Sequence, residues 1–585
     1  MRLHGSLFFC ALVSALSLCG QEFRASLSGT VSDPQGAVIP NVEIEARNLA
    51  TGQVSRTVTN EAGLYALPVL PVGRYTVSAS TAGFKKAVRE DLELRVGDRV
   101  QLDFTLELGA LAEQVTVTGE AELLQTATAS RGQVIDSSKV SDLPLLGRNP
   151  FMLALVSTGV QWINTLQSRS ARPFDNSPGN MMINGGRSWT SEILLDGAPN
   201  TNTEADQAAN AGFIPSPDAA EEFKIQTNTY DAQYGRTGGG IISLILKSGS
   251  NQLHGALYHY FRNDVLNAND FQSNRVGAKK TAFRWNQPGL RVDGPVYLPR
   301  IYDGRNRTFF MYSWEAVRSS VPFPATSTVP TADQRKGDFS TTLQSNGRPI
   351  TVYDPFTTEM IAAGRYSRQP FPGNRIPASL MDPVALKMLD YVPLPNTTPS
   401  GFGFANNLVA TPNPRTDAYD QHVIRADQVL TDRHRLSARF VRGNRHETNG
   451  LNGYPEPASN QYKHRRANQG GGFDLTSTLS PVTVLTTRAS FLRHYFNIRL
   501  YSDGFDPVQL GFPASLVAQL PRKFFPRVAM TEYTQFGAGR NIGSEFTFSD
   551  VWSFSETLNR TLRTHTLKVG GEFRAKRDNQ DRPTS

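Results

Sequence analysis

Residues 222–263 read EFKIQTNTYDAQYGRTGGGIISLILKSGSNQLHGALYHYFRN, and their reading decides the fold. A polar, glycine-punctuated segment passes directly into alternating, aromatic-rich sequence. Water-soluble cores seldom use a strand as aromatic as Ala256-Leu257-Tyr258-His259-Tyr260-Phe261, whereas a strand with one face in lipid does. The stretch therefore predicts a junction between a water-soluble element and the first strand of a membrane-spanning sheet.

Toward the C-terminus the alternation continues. It marks nine strands, at 254–263, 283–293, 307–316, 420–428, 434–442, 468–478, 482–497, 546–555 and 565–574. One face is repeatedly apolar: Phe310, Tyr312 and Trp314 share it, as do Leu436, Ala438 and Phe440, and Leu485, Thr487, Ala489 and Phe491. The opposite face carries Arg425, Asp427, Arg439, Arg488, Lys568 and Glu572. The connections alternate in length. Those near 430–433, 479–481 and 556–564 are short and that at 294–306 is intermediate, whereas those at 264–282, 317–419, 443–467 and 498–545 are long. A two-sheet sandwich has no reason to do this. An outer-membrane barrel does, with short periplasmic turns and long extracellular loops. Of the 585 residues 39% are hydrophobic, and no internal run is long and apolar enough for a spanning helix.

Toward the N-terminus, residues 121–250 are mixed. A short helix is expected from Pro150, and strands at 182–187, 192–197, 222–226 and 241–246, giving a small α+β unit. Residues 26–108 hold short strands at 28–31, 42–46, 75–79 and 100–104, separated by turns such as Asp33-Pro34-Gln35-Gly36 and Asn60-Glu61-Ala62-Gly63, the pattern of a β-sandwich. The first twenty residues read as a secretory signal: Arg2 and His4, an apolar run over 7–18, then small residues Ser17, Cys19 and Gly20. Both cysteines, Cys10 and Cys19, fall there, so the mature chain is expected to lack a disulfide, a zinc–thiolate site and a cysteine nucleophile.

Net charge is +8 with dispersed basic residues, which argues against a nucleic-acid partner. His254 and His259 fall on opposite faces of one strand. The sequence has no His-Glu-x-x-His, nucleophile elbow or phosphate loop. No enzyme activity, metal or cofactor is expected.

Two resemblances add to this reading. GTVSDPQGAVIPNVEIEA and TNEAGLYALPVLPVGRYTVSASTAGF resemble the carboxypeptidase regulatory-like domain, a sandwich also described as carbohydrate-binding-like. Further on stand Asn184-Gly185-Gly186-Arg187, Leu194-Leu195-Asp196-Gly197, the run 222–227 (EFKIQT), the run 234–240 (YGRTGGG), the run 247–255 (KSGSNQLHG) and the run 305–310 (RNRTFF). In that order they resemble TonB-dependent outer-membrane receptors of the Oar-like type. The resemblance implies a signal peptide at 1–20, a sandwich at 21–110, a plug at 111–250 and part of a transmembrane antiparallel β-barrel at 251–585. The fold class is then mainly β, with the α+β plug between sandwich and barrel.

The plug motif residues it implies are Asn184, Gly185, Gly186, Arg187, Asp196, Gly197, Glu222, Tyr234, Gly235, Arg236 and Gly239. Gly238, Gly239 and Gly240 are expected to turn the backbone where plug meets barrel. Residues 111–119 (LAEQVTVTG) are the candidate segment for strand addition to TonB, with Glu113, Val115, Thr116 and Val117 as contacts; the alternative is the plug's first strand. The partners implied are the TonB–ExbB–ExbD complex, outer-membrane lipid and an unidentified extracellular ligand.

The implied function is import of a scarce ligand across the cell outer membrane, with a carbohydrate favoured by the sandwich. The alternative is an outer-membrane-anchored adhesin or glycan-binding protein. Pro288 and Asp293 depart from the family pattern, and a proline there predicts disturbed pairing of that strand. Nine strands are fewer than half of the roughly 22 of a plugged transporter barrel. Residues 582–585 (RPTS) lack a terminal aromatic strand, so an N-terminal piece of a longer receptor is expected.

Overall fold

Alternating side chains from residue 254 onward build one large sheet. In the computed structural model, the described residues are 22–109, 114–116, 130–162, 181–204, 207–235, 237–269, 271–275, 277, 279–280, 282–322, 325–344, 346–399, 403–410, 414–538, 544–562 and 565–581. The expected signal segment lies outside them.

The large sheet has nine strands: β1 (His254–Asn263), β2 (Arg284–Pro295), β3 (Thr308–Val321), β4 (Arg415–Thr431), β5 (His434–Thr448), β6 (Tyr462–Ser480), β7 (Thr483–Leu500), β8 (Glu545–Leu562) and β9 (His565–Asp581). They are hydrogen-bonded in sequence order, every neighbour antiparallel. Several outrun their expected bounds; β6 has 19 residues against the eleven that alternation marks. Apolar alternation stops where a strand leaves the lipid, but backbone pairing does not depend on the side chains and continues beyond it.

The two faces divide as expected. Leu257, Phe440, Phe473, Trp552 and Phe573 are exposed on the outer face. On the inner face Met311, Val423 and Val441 are buried in the core of the plug. The aromatic run in β1 splits between the faces. Leu257 and Phe261 point outward, while Tyr258 and Tyr260 turn inward against a plug arginine. The lipid-facing reading of that run holds for only half of its side chains.

Pro288 does not place β2 at an edge. The strand is paired on both sides, with His259 opposite Pro288. The register to β3 lapses only between Asn286↔Arg318 and Gly289↔Glu315, so the missing N–H is absorbed by a local gap.

The sandwich is built from two sheets. One joins Leu64–Leu70, Ala25–Ser32 and Arg99–Gln101, with Phe104–Thr105 also on Ala25–Ser32. The other runs Val54–Val58, Glu43–Asn48, Gly73–Ser80, Lys86–Leu94 and Gln114–Thr116. Leu27, Ile44, Tyr75, Leu94 and Phe104 fill the space between.

The plug sheet has the order Arg131–Ile135, Ala220–Asn228, Ile241–Leu246, Glu192–Leu195, Ala198–Pro199. The helix expected from Pro150 is a 3-10 turn, Pro150–Val156, opened by Asn149, whose side chain accepts from the Phe151 amide at 3.1 Å. It seats Phe151 edge-on against Phe223, ring centres 5.5 Å apart.

The long connections are not independent loops. Val329, Val392, Leu408, Tyr454, Leu510, Phe525 and Phe536 come from three of them and share one apolar core. They form a cap beyond the ends of β3–β8. Among the described residues no helix is long and apolar enough to cross a membrane, which leaves crossing by strands open.

Candidate functional site

The plug motifs separate into an internal turn, two seats on the barrel wall and a clasp to the sandwich. The Asn184-Gly185 turn has φ of 49° and 74°, and the Asn184 side-chain amide donates to the Thr227 carbonyl at 2.7 Å. Arg187 is exposed and contributes its carbonyl, which accepts from the Thr190 hydroxyl. A Cβ on Gly239 would lie 2.6 Å from Thr190 Oγ1, and one on Gly240 2.7 Å from the Gln226 carbonyl. Gly239 and Gly240 therefore pack inside the plug, not at the plug–barrel boundary as expected, and Gly238 is exposed with open space around it. The missing side chain of Gly239 admits the 190–191 segment. The boundary is at 248–252, where a Cβ on Gly249 would lie 2.5 Å from the Gly294 carbonyl of β2. Tyr234 is half-buried beside open Gly235, and Arg236 lies outside the described residues.

The first seat is the Asp196-Gly197 turn, at φ 47° and 71°. Asp196 Oδ1 accepts from the Leu246 amide at 2.9 Å, which ties the turn to the plug sheet. The same carboxylate lies 3.6 Å from Arg425 Nη1 of β4 and 3.7 Å from Arg439 Nη1 of β5. The Gly197 carbonyl accepts from Arg488 Nη1 of β7 at 3.1 Å. Phe23 and Arg488 leave no room for a side chain at Gly197.

The second seat is Arg148, which the sequence reading passed over. Its Nε donates to Glu315 Oε2 of β3 at 3.0 Å, its Nη2 binds Asp218, and its guanidinium covers the rings of Tyr258 and Tyr260 at 4.7 and 4.1 Å. Glu315 is fully buried and also accepts from Gln287 and Gln421 on Oε1 and from the Tyr258 hydroxyl on Oε2. The available signal was a lone arginine in the apolar run Leu143-Pro144-Leu145-Leu146-Gly147-Arg148-Asn149-Pro150-Phe151, where an unpaired charge is expensive to bury.

The clasp closes on one sandwich residue. The Val96 amide donates to Glu222 Oε2 at 2.6 Å, and Lys224 Nζ donates to the Val96 carbonyl at 2.8 Å. Burial pushes the Glu222 carboxyl up to about 8, with Glu221 and Asp98 adding to the shift against the pull of the Val96 amide. Burial pushes the Lys224 ammonium down.

The sandwich also touches the short-turn end of the barrel. Thr57 donates to the Pro481 carbonyl at 2.8 Å, and Arg435 Nη2 donates to the Val54 carbonyl at 2.7 Å. Between sandwich, plug and wall lies a cavity of about 430 Å³ lined by Arg24, Glu221, Lys247, Arg435 and Arg439 among others. Among the described residues, no group of three or more His, Cys, Asp or Glu is placed to hold a metal ion.

Val115 and Thr116 of the candidate TonB segment lie in Gln114–Thr116, which pairs in parallel with Lys86–Leu94 at the sandwich edge, Val115 opposite Ala87. That is a sandwich strand, not the first strand of the plug sheet. Glu113 and Val117 lie outside the described residues.

The α+β unit lies against the inner face of the nine-stranded wall, tied to it by buried ion pairs. The family model for an outer membrane beta barrel domain matches residues 245–585, more than half of the chain. The chain belongs to this outer membrane beta-barrel family.

The model of the carboxypeptidase regulatory-like domain matches residues 26–107. The TonB-dependent transporter Oar of Myxococcus xanthus is 25% identical over 293 residues, 48% of this chain and 26% of that protein. Among solved structures, the outer membrane transporter YddB from Escherichia coli is similar with TM-score 0.48 and 12% identity, covering 77% of this chain and 49% of that one. A mutant of the ferric enterobactin receptor PfeA from Pseudomonas aeruginosa is similar with TM-score 0.40 and 11% identity, covering 76% and 49%. The chain thus spans about a quarter of its curated relative and about half of these solved chains. These relatives are transporters and receptors rather than enzymes, and the family places this β-barrel protein in the Gram-negative outer membrane.

Proposed function

We propose that the chain forms the sandwich (21–110, with Gln114–Thr116 added at its edge), plug (the rest of 111–250) and first barrel strands (251–585) of an energised importer. Ligand binds the extracellular cap and the plug. The TonB–ExbB–ExbD complex pulls through the segment 111–119, with Glu113, Val115, Thr116 and Val117 as contacts by strand addition. The pull displaces the plug and the ligand passes, with no covalent chemistry and no cofactor.

What supports this reading most is how the plug is held. Beside apolar contacts that include Met311, Val423 and Val441, its seats include discrete polar points at Asp196, Gly197, Arg148 and Glu192, the last 2.8 Å from Arg574 Nη1 of β9. Water can satisfy such groups once a pull opens them, whereas a continuous apolar interface would resist release throughout. The favoured cargo is a carbohydrate, on the resemblance of the sandwich to carbohydrate-binding-like modules. The adhesin reading loses support because the sandwich touches the short-turn, periplasmic end of the wall, far from the surface cap.

The test is ligand uptake by cells expressing the full-length protein, with and without residues 111–119 and with and without TonB. Uptake should vanish in either deletion while surface binding persists. Unchanged uptake refutes the importer. Uptake of iron–siderophore chelates but not of oligosaccharides refutes the carbohydrate cargo.

A further inference from the structure

The chamber between sandwich, plug and wall holds charged side chains that the plug seats leave without partners. Its volume of about 430 Å³ falls within the range of small-molecule sites, about 300–1,000 Å³. Ala50, Ser248 and His254 are exposed members of its lining and mark its mouth at the short-turn end of the wall. The sandwich closes one side through the turn that follows Glu43–Asn48, and the plug and the wall close the rest.

Three charged groups here lack what buried charges ordinarily have. The Arg439 side chain of β5 is only 11% exposed, yet its guanidinium makes no hydrogen bond among the described residues, and its nearest carboxylate, Asp196, is 3.7 Å away. Asp196 is itself engaged by the Leu246 amide. Lys247 and Glu221 line the chamber with no side-chain hydrogen bond or salt bridge among the described residues. A bulge brings Glu221 there: the plug register passes from Ala220↔Leu246 to Glu222↔Ile245, and Glu221 between them has no partner in it. Burial pushes the Lys247 ammonium down and the Glu221 carboxyl up. Unpaired charges are costly to bury, so these three leave room for an outside group to pair them.

The lining also sets the class of ligand. Its arginines and lysines outnumber its aspartates and glutamates by six to five. Just behind them Glu22 offsets Arg24, and Arg488 offsets Asp474. One negative charge is therefore missing, and the five carboxylates would repel a second. A guanidinium grips a carboxylate through two parallel hydrogen bonds, which suits Arg439, with Lys247 as the second cation. Gln53 of the sandwich, whose side chain has no hydrogen bond among the described residues, joins Glu221 in offering hydrogen bonds to hydroxyls. Val69 and Val72 give apolar surface for the C–H face of a ring.

We propose that this chamber binds a sugar acid, a small saccharide carrying one carboxylate, with Arg439 and Lys247 on the carboxylate and Gln53 and Glu221 on the hydroxyls. The sandwich then forms one wall of a binding site on the periplasmic side of the plug. That site lies apart from the cap and stands whatever ligand the cap admits.

The test is equilibrium dialysis of the purified full-length protein, in mild detergent, against labelled D-glucuronate and D-galacturonate, with D-glucose as the ring that lacks a carboxylate. At least one of the acids should bind, and glucose should not. Lys247→Gln should weaken binding about tenfold and Arg439→Gln about tenfold to a hundredfold, since each removes a charge-assisted contact. Gln53→Ala, in a sandwich turn, should weaken it about threefold to tenfold. Heat-modifiable gel migration should show each variant folded, and where Arg439→Gln does not fold the other two decide. Failure of both acids to bind overturns the proposal, as does equal binding of glucose. So does binding unchanged in Lys247→Gln and Gln53→Ala. Displacement by acetate or inorganic phosphate as readily as by unlabelled glucuronate would mark a site for any small anion and overturns it as well.

Discussion

Replacing Arg148 and Glu315 singly and together measures how firmly the plug is seated. Arg148→Met leaves Glu315 buried with three neutral donors, from Gln287, Gln421 and Tyr258. Breaking one partner of a buried pair costs about 3–5 kcal/mol, and those donors set this case near 3 kcal/mol. Glu315→Leu leaves the guanidinium with Asp218 and two tyrosine rings, again about 3 kcal/mol. The double variant leaves neither charge facing a void, so its loss should also be near 3 kcal/mol rather than 6, a coupling of roughly 3 kcal/mol. For a plug of this size, with a urea slope of about 1–2 kcal/mol/M, each single change lowers the unfolding midpoint by about 1.5–3 M. The assay is a urea titration of the reconstituted full-length protein with a spin label at Leu155→Cys, an exposed plug position in a chain whose own cysteines are Cys10 and Cys19. Additive losses near 6 kcal/mol, or single shifts below about 0.3 M, would refute the seat.

Glu222 gives a pH dependence. Its folded value of about 8 lies above the ordinary 4.5, so the folded state holds a proton that the open state releases, and docking of sandwich on plug weakens as pH rises from about 5 to 8. Label-to-label distances between sandwich and barrel should lengthen over that window in the wild type and not in Glu222→Gln; a flat wild-type profile contradicts the clasp. Gly197→Ala forces a left-handed residue against Phe23 and Arg488, and should loosen the plug by about 1–3 kcal/mol in the same urea assay. Phe525→Ala removes a fully buried ring from the cap core and should cost about 3–5 kcal/mol there, read as faster proteolysis within 322–414 with unchanged heat-modifiable migration of the barrel. Equal proteolysis would mean that the three connections do not fold as one unit.

The wall was legible because a lipid-facing strand must alternate, and alternation survives in one sequence without any partner. Phe310, Tyr312 and Trp314 on one side and Arg425, Arg439 and Arg488 on the other needed no structure to assign. The same rule misread Tyr258 and Tyr260: period two gives the face but not what lies against it, and Arg148 draws those rings inward. The glycines at 238–240 announced a tight place without saying where, since a missing Cβ matters only to the neighbour it admits: Thr190 and Ser191 at Gly239, the Gln226 carbonyl at Gly240, and nothing at Gly238. Pro288 predicted a disturbed strand, and the sheet accommodated it with a two-residue gap.

Local periodicity and turn chemistry by themselves determined that this chain makes a sandwich, a small α+β unit and an antiparallel wall, because each is written at spacings of two to a dozen residues. Only the tertiary structure decided how those parts hold one another. Arg148 meets Glu315 across 167 residues, Glu222 meets Val96 across 126, and Gly197 meets Arg488 across 291. Charges and hydrogen-bonding groups that far apart leave no periodic trace. They are paired because a buried polar group must find a partner, and which partner it finds depends on where the completed sheet brings the chain back.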